Sequence, residues 1–398
     1  MEINGGIMEP LVTVLISSYN HAKYIAAGLE SVLNQSYKNL QIIVVDDGSQ
    51  DDTLDLLQSY EDERLTVLTA ERNTAFRLYD TAKSKIQGKY VAELASDDRW
   101  TLDKIQKQVD FLENHGEIGL VFSWCEVLTP DLKEKERLES VFNVQNKEMH
   151  EWFWELIVEG NKFNNPSVMF RTEVFQKYDG YRFQYRQLQD LELWLRMLPN
   201  ENVYIMPEKL TYYTWHPKDN VGNMSADTME NMVRLDMEMS YILFDVFRNI
   251  DGAFFNRAFA RELEGDVSLE KADIICKKFL ILACFNSSVF QDAAILFYHE
   301  CIREDGVLDT LEHKYGFSRA DFWKYEGEKG SVHDMRAYRD LAVKWRENYY
   351  NCQERPECRS RPAGAGNTAG FRSRPRCCRP GYTPARVHPR SRHEPPSA

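Results

Sequence analysis

The chain opens with continuous apolar strands that alternate with amphipathic helices, and this pattern restricts the fold more than any other feature. Val12-Thr13-Val14-Leu15-Ile16 runs into polar Ser17-Ser18-Tyr19-Asn20, and a helical pattern follows with Ile25, Leu29, Val32 and Leu33 on one face. Ile42-Ile43-Val44-Val45 runs into Asp46-Asp47-Gly48-Ser49, after which Asp51 and Asp52 can cap a helix that turns Leu54, Leu57 and Tyr60 inward. Further strands are expected at 65–68, 90–94 and 120–123, and a helix over 102–114 that stops at Gly116. Strands that are apolar throughout, separated by helices, predict an α/β fold whose mostly parallel sheet is covered on both faces. Ligands bind such sheets beyond the carboxyl ends of the strands. The polar clusters at Ser17 to Asn20, at Asp46-Asp47 and at Asp97-Asp98 all fall there.

From Asp227 the pattern becomes purely helical, with long amphipathic runs at 229–250, 269–285 and 289–304. Their Met and Phe stripes are expected to form core. The segment from Asn351 is rich in Arg, Pro and Gly, without apolar periodicity, and is expected to be disordered. It fits a basic interaction arm or a stretch read in a shifted frame. The organisation expected is a sheet domain over 1–225, a helical domain over 226–350 and a tail over 351–398.

Charge narrows the function. The chain carries −13, and ten arginines with three glutamates give the tail +7, leaving −20 on the remainder. An acidic body excludes a nucleic-acid groove. It suits a site that takes an anion through a divalent cation. Cys125, Cys276, Cys284 and Cys301 are scattered in apolar surroundings, which points to free thiols in a reducing compartment. No secretory leader is legible between Met1 and Pro10, and no apolar run is long enough to span a bilayer. A cytoplasmic location is expected. Peripheral contact at the inner face of the membrane, and a homo-oligomer formed through the helical domain, are compatible with it.

Asp97-Asp98 at a strand end suits a hard, oxygen-seeking cation such as Mn²⁺ or Mg²⁺, with a diphosphate completing its shell, or else caps the next helix. Asp190 begins an amphipathic helix with Leu191, Trp194, Leu195 and Leu198 inward. There the helix dipole keeps a carboxylate ionised, as a plain cap or as a general base on a hydroxyl. Asp47 either makes a turn or accepts a proton from a uracil-like ring or a ribose, and Tyr19 could stack on that base. His216, among Tyr212, Tyr213 and Trp215, is either structural or a metal ligand. No GxGxxG follows the first strand and no GxxxxGK[ST] occurs, so dinucleotide and P-loop sites are excluded.

Taken together, these segments resemble glycosyltransferase family 2. The match also includes Ser31-Val32-Leu33-Asn34-Gln35-Ser36-Tyr37, Ser96-Asp97-Asp98-Arg99-Trp100, Val168-Met169-Phe170-Arg171 and Gln189-Asp190-Leu191-Glu192-Leu193-Trp194-Leu195-Arg196. The resemblance runs from Pro10 to Ser225. It implies a GT-A fold, a nucleotide-sugar donor with UDP-sugars favoured, a divalent metal and inversion at the anomeric carbon. It further implies that Tyr19 and Asp47 hold the base, Asp97 the ribose or metal, and Asp98 the metal and diphosphate. Asp190 takes the place of the catalytic base, and His216 that of a late metal ligand. Ser17 and Asn20 complete the expected nucleotide site, and Arg77 is placed to reach a phosphate.

The sequence departs from the family at Ala95, where an Asp is usual, at Gln189, where a Glu is usual, and at Asn73 to Arg77, which lacks the usual glycines. The acceptor implied is a glycan or a lipid-linked sugar in surface polysaccharide synthesis. Two other readings stand beside this one. One is a non-catalytic sugar-nucleotide-binding scaffold, for which Ala95 and Gln189 speak. The other is a nucleotidyltransferase, for which the early basic loop is missing.

Overall fold

The computed structural model describes residues 9–73, 77–182, 184–216 and 228–329. The chain divides into two compact units, Met1–Ala226 and Asp227–Ala398. The tail expected to be disordered lies outside the described residues.

The first unit is built on eight strands: β1 (Val12–Ser18), β2 (Leu40–Asp46), β3 (Leu65–Thr69), β4 (Tyr90–Ala95), β5 (Arg99–Trp100), β6 (Ile118–Leu128), β7 (Met169–Arg171) and β8 (Asn202–Thr214). Its helices are α1 (Ile25–Leu33), α2 (Thr53–Gln58), α3 (Arg77–Lys83), α4 (Lys104–Asn114), α5 (Leu132–Phe142), α6 (Met149–Val158), α7 (Thr172–Lys177) and α8 (Gln189–Met197). The strands form one sheet in the order β3-β2-β1-β4-β7-β6-β8-β5. The parallel expectation holds for β3, β2, β1 and β4 and for the β6–β8 pair. Pairings through β7 and β5 are antiparallel, so the whole is a mixed GT-A-type sheet.

Both faces of the first strands are buried, which explains their unbroken apolar runs. Val12, Val14 and Ile16 pack with Ile25, Leu29 and Val32 of α1 and with Ile105 and Val109 of α4. On the opposite face lie Leu15, Ile43 and Val91, buried as well. Further along the sheet, Phe122 of β6 stacks on Phe163 at 4.8 Å and meets the edge of Trp194 of α8 at 5.0 Å. Such aromatic pairs contribute about 0.5–1.5 kcal/mol beyond area burial. Trp194 therefore pins α8 to the sheet, and Leu191, Leu195 and Leu198 are buried beside it as their spacing predicts.

The second unit, over its described residues, is all helix: α9 (Met229–Asn249), α10 (Gly252–Ala258), α11 (Lys271–Cys284), α12 (Ser288–Cys301), α13 (Val307–His313) and α14 (Arg319–Lys329). Phe247, Phe254, Phe255, Phe259, Phe279 and Phe297 form its core, as expected. Two of the four methionines of α9 do not. Met232 and Met237 are 47% and 42% exposed, because the first half of α9 presents that side to solvent. Among the described residues no helix is long and apolar enough to cross a membrane. All four body cysteines are free, with Cys125 and Cys276 buried and Cys284 and Cys301 partly so.

Candidate active site

The parallel register brings the expected residues to one edge of the first unit. Ser17 lies opposite Val45 of β2 and Ala95 of β4, so the segments that follow β1, β2 and β4 leave the sheet side by side. Their loops are tied together. Ser96 donates its N–H to the Ser17 carbonyl at 3.1 Å, and Asp47 donates its N–H to the Ser18 carbonyl at 2.9 Å. Asn20 takes a left-handed backbone, φ 53°, donates its N–H to Ser49 Oγ at 2.8 Å, and accepts the Gln50 N–H on its side-chain oxygen at 2.7 Å. Its amide thus has a bracing role in addition to any ligand. Asp46 is buried and accepts from the hydroxyls of Ser49 and Thr69, which makes it the structural member of the Asp46-Asp47 pair. Tyr19 stands 42% exposed beyond the end of β1. Arg77 opens α3, but its side chain lies outside the described residues.

Asp97 and Asp98 follow β4 in a tight turn closed by the Asp98 N–H on the Ala95 carbonyl at 3.0 Å. The last long strand crosses this turn. Thr214 donates its N–H to Asp98 Oδ1 at 2.7 Å and its hydroxyl to the Asp97 carbonyl at 2.6 Å. His216 Nε2 shares a hydrogen bond with Asp97 Oδ2 at 2.9 Å, and the His216 ring packs on Tyr24 at 4.9 Å. His21 Nδ1 in turn meets Ser96 Oγ at 2.7 Å. Asp98 is only 2% exposed. Burial pushes its carboxyl well above the usual range, and the adjacent Asp97 charge pushes it further, while the Thr214 N–H opposes both.

Two crowded carboxylates of this kind favour a cation, and their hard oxygens suit Mn²⁺ or Mg²⁺. Among the described residues no three His, Cys, Asp or Glu side chains gather into a complete metal cage. The donor set therefore fits an ion whose shell is finished by ligand oxygens rather than one enclosed by protein alone.

Asp190 lies in the first turn of α8, half-buried. Asn161 donates its amide to Asp190 Oδ2 at 2.8 Å, and the Leu191 N–H reaches Oδ1 at 2.7 Å. Burial nonetheless pushes the carboxyl up to about 6, against these hydrogen bonds. Desolvation outweighs the helix-end N–H groups, yet a carboxyl near 6 is still mainly ionised at neutral pH. A carboxyl poised near 6 is better matched to taking a proton at neutral pH than an ordinary Asp.

Tyr213 links the two acidic positions. Its hydroxyl is raised first by burial, then by the charges of Asp98, Asp97, Cys125 and Asp190. One side chain on β8 thus lies within electrostatic reach of all three carboxylates. Sequence reading missed the supporting residues Thr214, Asn161 and Tyr213. Only the position of Thr214, two residues before His216, offered a hint.

The family model for glycosyl transferase family 2 matches residues 13–177. The putative teichuronic acid biosynthesis glycosyltransferase TuaG of Bacillus subtilis is 45% identical over 107 residues, covering 26% of this chain and 42% of that protein. The uncharacterized glycosyltransferase MJ1057 of Methanocaldococcus jannaschii is 30% identical over 229 residues, covering 54% of this chain and 74% of that protein. The UDP-Glc:alpha-D-GlcNAc-diphosphoundecaprenol beta-1,3-glucosyltransferase WfaP of Escherichia coli is 28% identical over 234 residues, 56% of this chain and 83% of that protein. The chain thus spans less than half the length of TuaG and most of the length of the other two.

Proposed function

The chain belongs to glycosyltransferase family 2, and on that premise we propose that it moves a sugar from a nucleoside-diphosphate sugar, with a UDP-sugar favoured, to an acceptor hydroxyl with inversion at the anomeric carbon. The observation that carries this reading is the sheet edge where Asp47 and the Asp97-Asp98 turn, the latter held by Thr214 and His216, lie side by side, with the Asp190 charge acting on the same Tyr213 hydroxyl as theirs. One carboxylate group faces a leaving diphosphate and the other a nucleophile.

In the proposed reaction Tyr19 stacks on the base, and Asp47 and Asp97 orient the nucleoside, with Ser17 and Asn20 shaping the loop beneath it. Asp98 and His216 would hold the divalent ion, with Asp97 hydrogen-bonded to His216 beside them and diphosphate oxygens completing the shell. When bound, that ion would neutralise the diphosphate as negative charge builds on it. Asp190 takes the proton of the acceptor hydroxyl as its oxygen attacks the anomeric carbon from the face opposite the diphosphate. The C–O bond to the acceptor forms as the bond to the nucleotide breaks, and the electron pair leaves with the diphosphate. Asn161 and the Leu191 N–H keep the Asp190 carboxylate aimed and stabilise its charged form.

The acceptor class proposed is a glycan or lipid-linked sugar of surface polysaccharide. The names of TuaG and WfaP, a teichuronic acid enzyme and one acting on a diphosphoundecaprenol-linked sugar, support it. Action at the cytoplasmic face of a membrane follows from such an acceptor. A second reading, a binding domain without catalysis, is favoured by Ala95, which leaves the strand end one carboxylate short. The deciding experiment incubates the full chain with a panel of nucleotide sugars and Mn²⁺ and measures released nucleoside diphosphate. Turnover of one sugar above the Asp190→Asn background supports catalysis. Tight binding with no release from any of them leaves the scaffold.

A further inference from the structure

Glu93 lies in the middle of β4, opposite Leu15 of β1, and is 6% exposed. Strand alternation turns it away from Ala92 and Leu94, which pack on the α1 face, toward the other side of the sheet. There its carboxyl accepts a hydrogen bond from the Tyr79 hydroxyl of α3, and no cation pairs with it among the described residues. The Tyr79 ring meets the edge of Tyr181 at 6.1 Å. The Tyr181 hydroxyl donates to Asn165 Oδ1 at 2.7 Å, and Asn165 follows closely on Asn161, the residue that holds Asp190. β4 itself runs straight into the Asp97-Asp98 turn, and Tyr79 stands two residues after Arg77.

Resting on the donor-site reading above, we propose that Glu93 is a positioning residue: through Tyr79 and Tyr181 it braces the strand end carrying Asp97 and Asp98 against the loop that holds Asp190. A buried acid without a counter-charge does this only in its neutral form. Among the described residues, the ionisable groups facing it are Tyr79 from α3 and Tyr181 from the segment before α8. Leu15 of β1 and Val168 and Phe170 beside β7 offer none. Asp80 acts on Tyr79, and Asp190 on Tyr181, at longer range. Burial pushes the Glu93 carboxyl up to about 8, with the Tyr79 hydrogen bond opposing. Between 4.5, the ordinary value, and about 8 the folded chain keeps a proton that the unfolded chain releases. The stabilisation is therefore complete below the first value and lost as pH climbs through the second.

The test compares wild type, Glu93→Gln and Tyr79→Phe as full chains from about pH 6 to 9. Thermal unfolding is one readout, and calorimetric binding of UDP, with GDP in parallel, in the presence of Mn²⁺ is the other. Wild type is expected to lose both thermal stability and nucleotide affinity as pH climbs through about 8, while Glu93→Gln, neutral throughout, stays flat in both. At neutral pH Glu93→Gln should bind within about twofold of wild type, and Tyr79→Phe about fivefold more weakly, the equivalent of one hydrogen bond. Parallel pH profiles for wild type and Glu93→Gln overturn the inference. So does unchanged nucleotide affinity in Tyr79→Phe where wild type binds. A wild type that binds neither nucleotide overturns the donor reading and the positioning role together, and is thereby told apart from failure of this inference alone.

Discussion

Thr214 holds Asp98 from a different strand: its N–H lies 2.7 Å from Asp98 Oδ1 while its hydroxyl takes the Asp97 carbonyl at 2.6 Å. A single residue on β8 thus fixes both acids of the β4 turn. Thr214→Val keeps the backbone bond and the side-chain shape but loses the hydroxyl. The expected cost is about 1 kcal/mol of stability. Mn²⁺-dependent UDP affinity should fall with it, and Thr214→Ser should restore that affinity. Asp98→Ala should remove at least about tenfold of the metal-dependent binding, by analogy with the loss on deleting metal-supporting groups. Calorimetry with and without Mn²⁺ checks both; equal affinity for UDP in wild type and Asp98→Ala would put the metal elsewhere.

Asp190 must be deprotonated to accept a proton, so transfer should fall about tenfold per unit as pH drops below about 6. The Asn161 amide donates to the charged form and holds the carboxyl down against desolvation. Asn161→Ala should therefore raise it, moving the acid limb of the kcat/KM profile to higher pH. Asp190→Asn should cost about 10² to 10⁴ in kcat with donor affinity retained. An acid limb that stays put in Asn161→Ala would mean that the base is another group.

Gly28 of α1 sits against the back of the same turn. A Cβ there would lie 2.9 Å from the Ser96 carbonyl oxygen and 3.1 Å from that of Asp98, both backbone atoms with no freedom to swing aside. Gly28→Ala should improve helix propensity but force the turn outward, for a net loss of about 1–3 kcal/mol. Nucleotide binding should weaken alongside, because the displaced atoms belong to the Asp97-Asp98 turn. Thermal unfolding and UDP titration of the one variant give both numbers. Wild-type values in the two would show that α1 can recede.

The parts of this site that were legible in sequence are those set by short-range pattern. Apolar runs such as Val12 to Ile16 and Ile42 to Val45 mark buried strands because both faces of the sheet are covered. The polar residues after them mark the sheet edge because a strand must end where its apolar run does. The helical core was legible at its phenylalanines but not at Met232 and Met237, since periodicity identifies an apolar face without saying what covers it. The grip of Thr214 on Asp98 and of Asn161 on Asp190 was invisible, because each joins segments whose meeting depends on the order of strands. The antiparallel insertion of β7 between β4 and β6 is what decides that order, and it rests on three residues, Met169, Phe170 and Arg171, too few to carry a period. The raised carboxyl of Asp190 is invisible in sequence for a related reason: a helix end can be read locally, but its burial cannot.

The motif around Asp190 also carries a structural load that its resemblance to a catalytic segment conceals. Arg196, one turn after Glu192 on α8, places Nε 2.8 Å from Glu192 Oε1 and Nη2 2.8 Å from Oε2, a bidentate pair with Glu192 only 2% exposed. Its remaining donors reach the carbonyls of Tyr178 and Gly180, the latter at 2.9 Å, and so fasten the turn after α7 to α8. Lysine can keep the charge but not the planar fork, and would leave a buried carboxylate and at least one carbonyl short of donors. Arg196→Lys should therefore lower stability by about 1–3 kcal/mol, the cost of leaving buried acceptors short of donors while Arg182 still pairs with Glu192 at 3.1 Å. Asp190 lies at the other end of the helix, held by Asn161 and the Leu191 N–H, so the pH of its acid limb should not move. Urea unfolding beside a kcat/KM profile separates the two: a large loss of stability with an unshifted acid limb assigns Arg196 to the scaffold, whereas a shifted limb would place it in the electrostatics of the base.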